Sequence, residues 1–284
     1  MANIRSIRSR IKSLESTGQI TSSMKMVAAA KLRRVQSDLS HFRPFADMSS
    51  RLLSEALCAT DRTVSPLLFP HKDSQKVCFV LVVGNRGLCG SYNQNLMRLF
   101  SELSAAETRE CSLILCGAWD AGLKTSPALP LLRRFDVSDT PTPDEARELT
   151  DYLKDLYLSG QTDEIHIIYT EYLSVLRQTP TQKHLLPLVK PADAKVREYI
   201  FEPDEKSLLL TLTEQHLFSQ VYLTLLEART SEHSARMTAM TSASDNAAAL
   251  TTELQLKLNH ARQASITSEI SEIECGSAAL KNTK

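Results

Sequence analysis

The sequence predicts an α/β protein: an antiparallel coiled coil of two long terminal helices together with a central, Rossmann-like open α/β domain. Three observations support this fold class. Residues 204–275 contain neither Pro nor Gly, the two residues that interrupt helices most strongly. Ten of the eleven Pro lie between Pro66 and Pro203, and six of the eight Gly lie between Gly84 and Gly160. Within that central region, apolar runs alternate with helical patterns, as in a mostly parallel sheet. We therefore predict three parts, residues 1–60, 70–203 and 204–284.

The N-terminal helix is predicted from apolar and small residues that recur in alternating steps of three and four, as along a heptad seam. The series consists of Ile4, Ile7, Ile11, Leu14, Gly18, Thr21, Lys25, Ala28, Leu32, Val35, Leu39 and Phe42. An ordinary coiled coil would carry Leu or Ile at Gly18, Thr21 and Lys25. The seam is therefore weak in its middle.

The C-terminal helix is too long to be buried on its own domain, since 72 residues span roughly 105 Å. Its predicted seam consists of Met240, Ala243, Ala247, Leu250, Leu254, Lys257, Ala261 and Ala264. Small residues dominate it, so two backbones can approach closely. We expect it to pair antiparallel with the first helix. Beyond the seam, Ile266, Ile270 and Ile273 form a stripe that another protein is expected to cover.

The central region predicts four strands and two helices. The strands are predicted at residues 76–83, 112–116, 164–170 and 183–189, and the helices at 92–103 and 144–158. The run KVCFVLVV at residues 76–83 suits a strand that is buried on both faces. Pro143 is expected at the first turn of the second helix.

Composition excludes several classes of protein. A formal net charge of zero argues against a generally basic nucleic-acid binder, although residues 1–34 carry eight Arg or Lys against one Glu, a net charge of +7. This basic helix is compatible with binding to phosphate, to anionic lipid or to an acidic protein surface, and equally with exposure to solvent. The six Cys show no metal-binding spacing and are expected to be free thiols of a cytoplasmic chain. No apolar run is long enough for a transmembrane segment, and the N-terminus does not resemble a signal peptide.

The turn GNRGLCG lies between a predicted strand and a predicted helix, where phosphate-binding loops occur. Its glycines, Gly84, Gly87 and Gly90, match neither nucleotide-binding fingerprint, so we predict that they serve a tight turn with positive φ. Cys89 lacks a neighbouring base. The strand residues His166 and His184 are expected to pack in the protein rather than bind a metal. The Glu232–His233 pair is expected to lie on a helix surface without a functional role. We predict no catalytic residues, no metal and no cofactor.

Several long motifs resemble the gamma subunit of F-type ATP synthase. They are MKMVAAAKLRR (residues 24–34), RGLCGSYNQN (86–95), YIFEP (199–203), SEHSARMTAM (231–240) and the run from Ser244 to Ile270. Together with LLEA at Leu225 they extend over essentially the whole chain.

The resemblance implies a non-catalytic rotor shaft inside a hexamer of alpha and beta subunits, with the α/β domain near the epsilon subunit and the membrane c-ring. Proton or sodium flow would turn this shaft, and its asymmetry would drive ATP synthesis or hydrolysis in the head. A peripheral location on the cytoplasmic face of a bacterial membrane follows. The residues expected to contact alpha and beta are Met24, Lys25, Arg33, Arg236, Arg262, Gln263, Thr267 and Glu269. The small seam residues are expected to let a rotating face slide past its partners.

Two other functions are compatible with the residues taken without the resemblance. One is a nucleotide-dependent enzyme that uses the α/β domain, and the other is a coiled-coil tether. Nucleotide titration distinguishes the first from a shaft, and co-purification with alpha and beta subunits distinguishes the second.

Overall fold

The computed structural model describes residues 2–59, 65–71, 75–119, 129–188, 202 and 204–281, with side chains except at 2, 3, 59 and 276–281. The elements are α1 (Ala2–Ala59), a 3-10 turn (Pro66–Leu68), β1 (Lys76–Val82), α2 (Tyr92–Ala106), β2 (Glu110–Cys116), β3 (Leu131–Phe135), α3 (Pro143–Leu158), β4 (Glu164–Tyr172), β5 (Gln178–Leu186) and α4 (Glu205–Lys281). The predicted α/β class with long terminal helices is confirmed. None of the described helices combines the length and apolarity needed to cross a membrane.

The sheet has the strand order β3-β2-β1-β4-β5. β1 pairs in parallel with both β2 and β4, β2 pairs in parallel with β3, and β5 is antiparallel to β4. The strands that follow β1 in the chain are therefore added on both sides of it, β2 and β3 on one side and β4 and β5 on the other, as in doubly wound folds. β3 is the strand that the sequence did not predict. Of its five residues only Phe135 is buried, so it carries no apolar run.

Each face of the sheet packs against helices. On one face, Phe79 of β1 packs against Phe100 of α2 with ring centroids 6.0 Å apart. On the other face, a larger core joins the sheet to α3, to the end of α1 and to α4 through residues such as Leu53 and Leu225. Residues 77–83 are all buried, which explains the uninterrupted apolar run of β1.

Helix α3 begins as predicted, with Pro143 in its first turn. Thr142 forms a capping box with Glu145: the Thr142 hydroxyl accepts from the Glu145 amide, and the Glu145 carboxylate accepts from the Thr142 amide. Both bonds satisfy amide groups that a helix start otherwise leaves unpaired. α1, by contrast, continues through Pro44.

The chain forms two compact units, Met1–Val27 with Met237–Lys284, and Ala28–Arg236. The second unit contains the sheet with parts of α1 and α4. Within it, Arg43 contacts Glu227 at 2.5 Å, and Gln220 donates a hydrogen bond to Ser50 at 2.8 Å. The contacting residue in α4 moves back from 227 to 220 as the residue in α1 advances from 43 to 50, so the two helices run antiparallel. The three-part division at 1–60, 70–203 and 204–284 stays a prediction.

In the first unit, the predicted α1 seam agrees with burial, since Ile4, Ile7, Leu14, Gly18, Thr21 and Lys25 are half-buried and Ile11 is buried. In α4 the prediction agrees with burial at Ala243 but was wrong at three later positions. Leu250, Lys257 and Ala264 are exposed, whereas Thr251, Leu258 and Ser265 are half-buried. The predicted seam and the observed seam of α4 share Met240, Ala247, Leu254 and Ala261. The positions between them are so mixed in polarity that the sequence does not distinguish steps of three from steps of four.

The small seam residues face the other helix of the pair. A Cβ atom on Gly18 would lie 3.6 Å from the Cβ atom of Ala247, which is ordinary van der Waals contact. Gly18 thus permits the close approach of the two helices, and the expectation of a face that slides past partner subunits stays a prediction. Ile266, Ile270 and Ile273 are exposed, as the predicted uncovered stripe requires.

The imidazole of His216 makes the stability of the second unit depend on pH. His216 lines a cavity of about 390 Å³ together with Leu53, Leu57 and Leu185, and its buried Nδ1 atom has no hydrogen-bond partner among the described residues. Burial, assisted by the charge of Lys183, lowers the pKa of His216 to about 4. The folded state therefore stays unprotonated at a pH where the unfolded state takes up a proton.

We predict that this group lowers the free energy of unfolding as the pH falls from 6.5 to 4, with no further change below 4. At about 1.4 kcal/mol per pKa unit, the loss is at most about 3–4 kcal/mol. Denaturant unfolding followed by Trp119 fluorescence measures it. His216→Leu should flatten the pH dependence, whereas the exposed control His260→Gln should retain it. Identical pH profiles for wild type and His216→Leu would contradict the prediction.

Candidate functional site: an ionic cluster between α4 and the glycine-rich turn

The turn at residues 84–90 follows the central strand β1, where doubly wound folds bind their ligands. In this structure, side chains from α4 occupy the position next to the turn. They are Arg229, Glu232, His233 and Arg236. Their spacing of three, four and seven residues places them on one face of the helix. We call these four residues the ionic cluster.

The carboxylate of Glu232 lies at the centre of the ionic cluster and is fully buried. Its oxygens contact Arg229 Nη1 and Arg236 Nη2, both at 2.6 Å, and one oxygen accepts from the Asn85 amide at 3.2 Å. Burial alone would raise the pKa of Glu232, but the two guanidinium groups outweigh it and hold the pKa below its usual value. Glu232 is therefore ionised and bound on both sides.

Arg229 connects α4 to the ends of two strands. Its guanidinium donates to the carbonyl of Val83 at 3.1 Å, to the side-chain oxygen of Asn85 at 2.8 Å and to the carbonyl of Val137 at 3.0 Å. Val83 follows β1 and Val137 follows β3. A single buried side chain thus joins the helix to two parts of the sheet.

Arg236 binds the tip of the turn. It donates to the carbonyl oxygens of Arg86 at 3.1 Å and Gly87 at 3.4 Å. It was predicted as a contact to a partner subunit. The structure places it 8% exposed, with its guanidinium on the turn and on Glu232. Its contact with a partner stays a prediction.

His233 is neutral in the ionic cluster. Its Nδ1 atom lies 3.2 Å from the Arg236 Nη1 donor and so accepts, while Nε2 lies 3.0 Å from the carbonyl of Asp139 and donates. Burial lowers the pKa of His233, consistent with this single protonation. The carboxylate of Asp139 in turn pairs with Lys31 of α1. Burial would raise the pKa of Asp139, but hydrogen bonds from Lys31 and Asn85 hold it at about 2.

The three predicted turn glycines serve different purposes. Gly90 adopts a φ of 60°, which favours glycine. Gly84 allows a close approach, since a Cβ there would lie 3.1 Å from Asn93 Oδ1 and 3.2 Å from the Glu232 carboxylate. A Cβ on Gly87 would meet nothing within 4 Å, and the other positive φ in the turn belongs to Leu88, at 61°.

The turn uses its own polar groups internally. The amide of Gly84 donates to Asn93 at 2.9 Å and that of Asn85 donates to Glu232, so the chain's own carboxylate takes the position in which a phosphate would be bound. Cys89 is buried, and burial raises the pKa of its thiol, the opposite of what an activated nucleophile needs. The arrangement fastens a helix to a domain and offers no nucleophile with a paired base.

Sequence reasoning missed Arg229 and misplaced Glu232 and His233, which are buried rather than on a helix surface. A usable signal was present in the sequence. Charged residues at one helical face, separated by the small residues Ala228, Ser231 and Ala235, indicate a helix face that packs closely through ion pairs.

The other predicted partner contacts lie on the two helices. In the first unit, Met24 and Lys25 are half-buried on α1, and Arg262, Gln263, Thr267 and Glu269 are exposed on α4. In the second unit, Arg33 is exposed on α1. Thr267 donates its hydroxyl to the Gln263 carbonyl at 3.0 Å. Of the eight basic residues among the first 34, only Lys31 forms an ion pair with another described residue.

The ionic cluster is thus a structural site: within the second unit, buried charges fasten α4 to the α/β domain. A family model described as ATP synthase matches residues 3–280. The ATP synthase gamma chain of Moorella thermoacetica is 40% identical, and the alignment covers 99% of this chain and 100% of that protein. The gamma chain of Desulfitobacterium hafniense is 39% identical over the same shares.

Solved structures share the fold. The rotor of Euglena gracilis mitochondrial ATP synthase in rotational state 1 matches with a TM-score of 0.69 at 21% identity, covering 93% of this chain and 99% of that chain. A second Euglena gracilis structure, of OSCP, F1 and c-ring, matches with a TM-score of 0.71 at 20% identity, covering 98% of this chain and 95% of that chain.

The chain belongs to the ATP synthase gamma chain family. Membership gives it the role of a central-stalk subunit of the rotary ATP synthase, a subunit that is not itself catalytic.

We predict that Glu232→Gln lowers the free energy of unfolding of the second unit by about 3–5 kcal/mol, because it leaves two buried guanidinium groups without a counter-charge. Denaturant unfolding followed by Trp119 fluorescence measures the change. The matched control is Glu253→Gln, since Glu253 also pairs with a basic residue four positions later on α4 but is exposed. That control should leave the transition in place. Equal effects of the two substitutions would contradict the structural role of the ionic cluster.

Proposed function

We propose that the chain is the rotating shaft of an F-type ATP synthase, which couples ion flow across a membrane to ATP synthesis or hydrolysis in a head of alpha and beta subunits. The observation that carries this proposal is the match of 99% of the chain, both terminal helices included, to ATP synthase gamma chains. The mechanical features of the two units support it.

The shaft acts by presenting different side chains to each catalytic site in turn. An asymmetric helix pair inside a three-fold head favours a different nucleotide state at each site, because it contacts each site differently. Rotation by ion flow cycles these preferences and drives synthesis, and hydrolysis reverses the cycle. The shaft itself needs no nucleotide site, which fits a glycine-rich turn that is filled by Glu232.

Torque must pass between the α/β domain and α4 without slippage. The ionic cluster suits this task, because Arg229 and Arg236 bind backbone carbonyls on both the turn and the sheet while Glu232 holds them together. Buried, charge-assisted hydrogen bonds have defined geometry, so they resist rotation of the helix better than apolar packing alone.

Contacts with the head are assigned to side chains on the two long helices. Arg262, Gln263 and Thr267 on α4 are our candidates for contacts to the catalytic beta subunits, with Glu269 on the next turn. Met24, Lys25 and Arg236 are candidates for a lower contact with a beta subunit, and Arg33 is a candidate for a contact with the hexamer. The excess positive charge of the first 34 residues suits an acidic surface on the partner.

The remaining partners follow from the same assignment. We place the epsilon subunit and the membrane c-ring at the α/β domain, and the assembled protein at the cytoplasmic face of a bacterial membrane as a peripheral subunit. The proteins of similar fold include a rotor of Euglena gracilis mitochondrial ATP synthase and a central stalk with c-ring of Tetrahymena thermophila mitochondrial ATP synthase, which supports the c-ring as a partner. We expect no nucleic acid partner and no bound cofactor.

The direct experiment is co-expression of this chain with the alpha and beta subunits of its source. The expected result is a co-purifying complex with ATPase activity that the chain alone lacks. Copurification without stimulated turnover would favour a tether, and nucleotide binding by the isolated chain at micromolar concentration would favour an enzyme.

We predict that the double substitution Arg262→Ala and Gln263→Ala lowers ATP turnover by the assembled complex several-fold, because loss of a desolvated arginine contact typically costs about 1–2 kcal/mol. The control is Arg98→Ala, which removes an exposed arginine on α2. Turnover per assembled complex is the measurement. Unchanged turnover in the double variant would exclude these two residues as functional contacts.

A further inference from the structure

Three potential metal ligands meet on one face of the sheet, away from the ionic cluster. They are Glu164 and His166 of β4 and His184 of β5. Glu164 and His166 are two residues apart in a strand, so their side chains point to the same face. His184 is the register partner of His166 across the antiparallel pair, which brings the two imidazoles together.

An irregularity in the strand pairing creates this juxtaposition. Ile165 pairs with Leu186, but the next residue, His166, pairs with His184, so Leu185 is left unpaired as a bulge in β5. Bulges re-aim side chains and recur next to functional sites. The imidazole centroids of His166 and His184 are 5.0 Å apart.

The distances suit coordination. One ligand atom from each of the three residues lies within 4.8 Å of the others. The Nε2 atom of His166 is 3.3 Å from Glu164 Oε2, and two ligands of a tetrahedral zinc ion with bonds near 2.0–2.1 Å are about 3.3 Å apart. The Nδ1 atom of His166 is buried and has no hydrogen-bond partner among the described residues. Because Nε2 is the atom that faces Glu164, Nδ1 carries the proton of this imidazole and is not a ligand of the site.

We propose that Glu164, His166 and His184 bind a Zn²⁺ ion, with the fourth coordination position left to water. Two imidazole nitrogens and one carboxylate oxygen are borderline ligands that favour zinc over Mg²⁺ or Ca²⁺. His184 is exposed and provides the route of entry, whereas Glu164 and His166 are half-buried and provide the fixed part of the site. The sequence alone predicted packed histidines and no metal.

The ion pair between Arg109 and Glu164 limits the affinity of the site for Zn²⁺. Its guanidinium contacts both oxygens of Glu164, at 2.8 and 3.1 Å, and also binds Glu107 at 2.9 Å. A carboxylate offers about four lone-pair positions, so the metal shares Glu164 with Arg109 rather than displacing it. The positive charge of Arg109 weakens cation binding, and the site is therefore of moderate affinity.

A bound ion would cross-link the edge strand β5 to β4. Because ligands that bind only the folded state stabilise it by mass action, zinc should raise the unfolding temperature of the chain. This inference is independent of the rotor assignment, since it concerns the isolated full-length chain and no turnover.

The test is a titration of the full-length, metal-free chain with Zn²⁺ by calorimetry, and with Co²⁺ by visible absorption. We expect one ion per chain, a tetrahedral Co²⁺ spectrum that Zn²⁺ displaces, and no heat with Mg²⁺. His184→Gln, at an exposed position, should weaken Zn²⁺ binding by at least about 10-fold and abolish the Co²⁺ spectrum. The matched control His41→Gln removes an exposed histidine of α1 and should bind Zn²⁺ as wild type does.

Two results would overturn the proposal. One is the absence of Zn²⁺ binding by the wild-type chain at millimolar concentration. The other is equal Zn²⁺ affinity of wild type and His184→Gln, which would assign the binding to other surface groups. Far-UV circular dichroism without metal verifies that His184→Gln is folded as the wild type is.

Discussion

The buried carboxylate of Glu232 is the interaction on which the connection between α4 and the sheet depends. It holds two guanidinium groups that are otherwise uncompensated, and those groups in turn satisfy the backbone carbonyls after β1 and β3 and at the turn. Buried ion pairs are seldom a net source of stability compared with apolar packing. Their value here is geometric, because each donor fixes an angle between helix and domain that apolar side chains would leave adjustable.

This arrangement also explains how a fold associated with nucleotide binding serves a mechanical role. The crevice at the carboxyl end of β1 remains, with Gly84 permitting close approach and the start of α2 beside it, but the incoming anion is a side chain of the same protein. The family assignment, a central-stalk subunit that is not itself catalytic, is compatible with a crevice that the chain's own carboxylate occupies.

The sequence predicted those elements whose pattern reflects burial on a regular period. The continuous apolar run of β1, the capped start of α3 and the α1 seam are of this kind. It missed β3, because an edge strand with four exposed residues has no apolar pattern, and it chose the wrong phase in the α4 seam, where Leu250 and Thr251 carry no consistent polarity. The ionic cluster could not be located by pattern at all, since burial of Arg229 depends on carbonyl groups supplied by distant segments.

The close approach of Gly18 to Ala247 has a consequence for the local stability of the two helices. A seam of glycine and alanine buries little apolar surface, and the isoleucines that follow it on α4 remain exposed. Segments with so little buried surface open readily, and open segments are substrates for proteases. In the chain taken alone, the end of α4 that carries these isoleucines is therefore the part expected to open first.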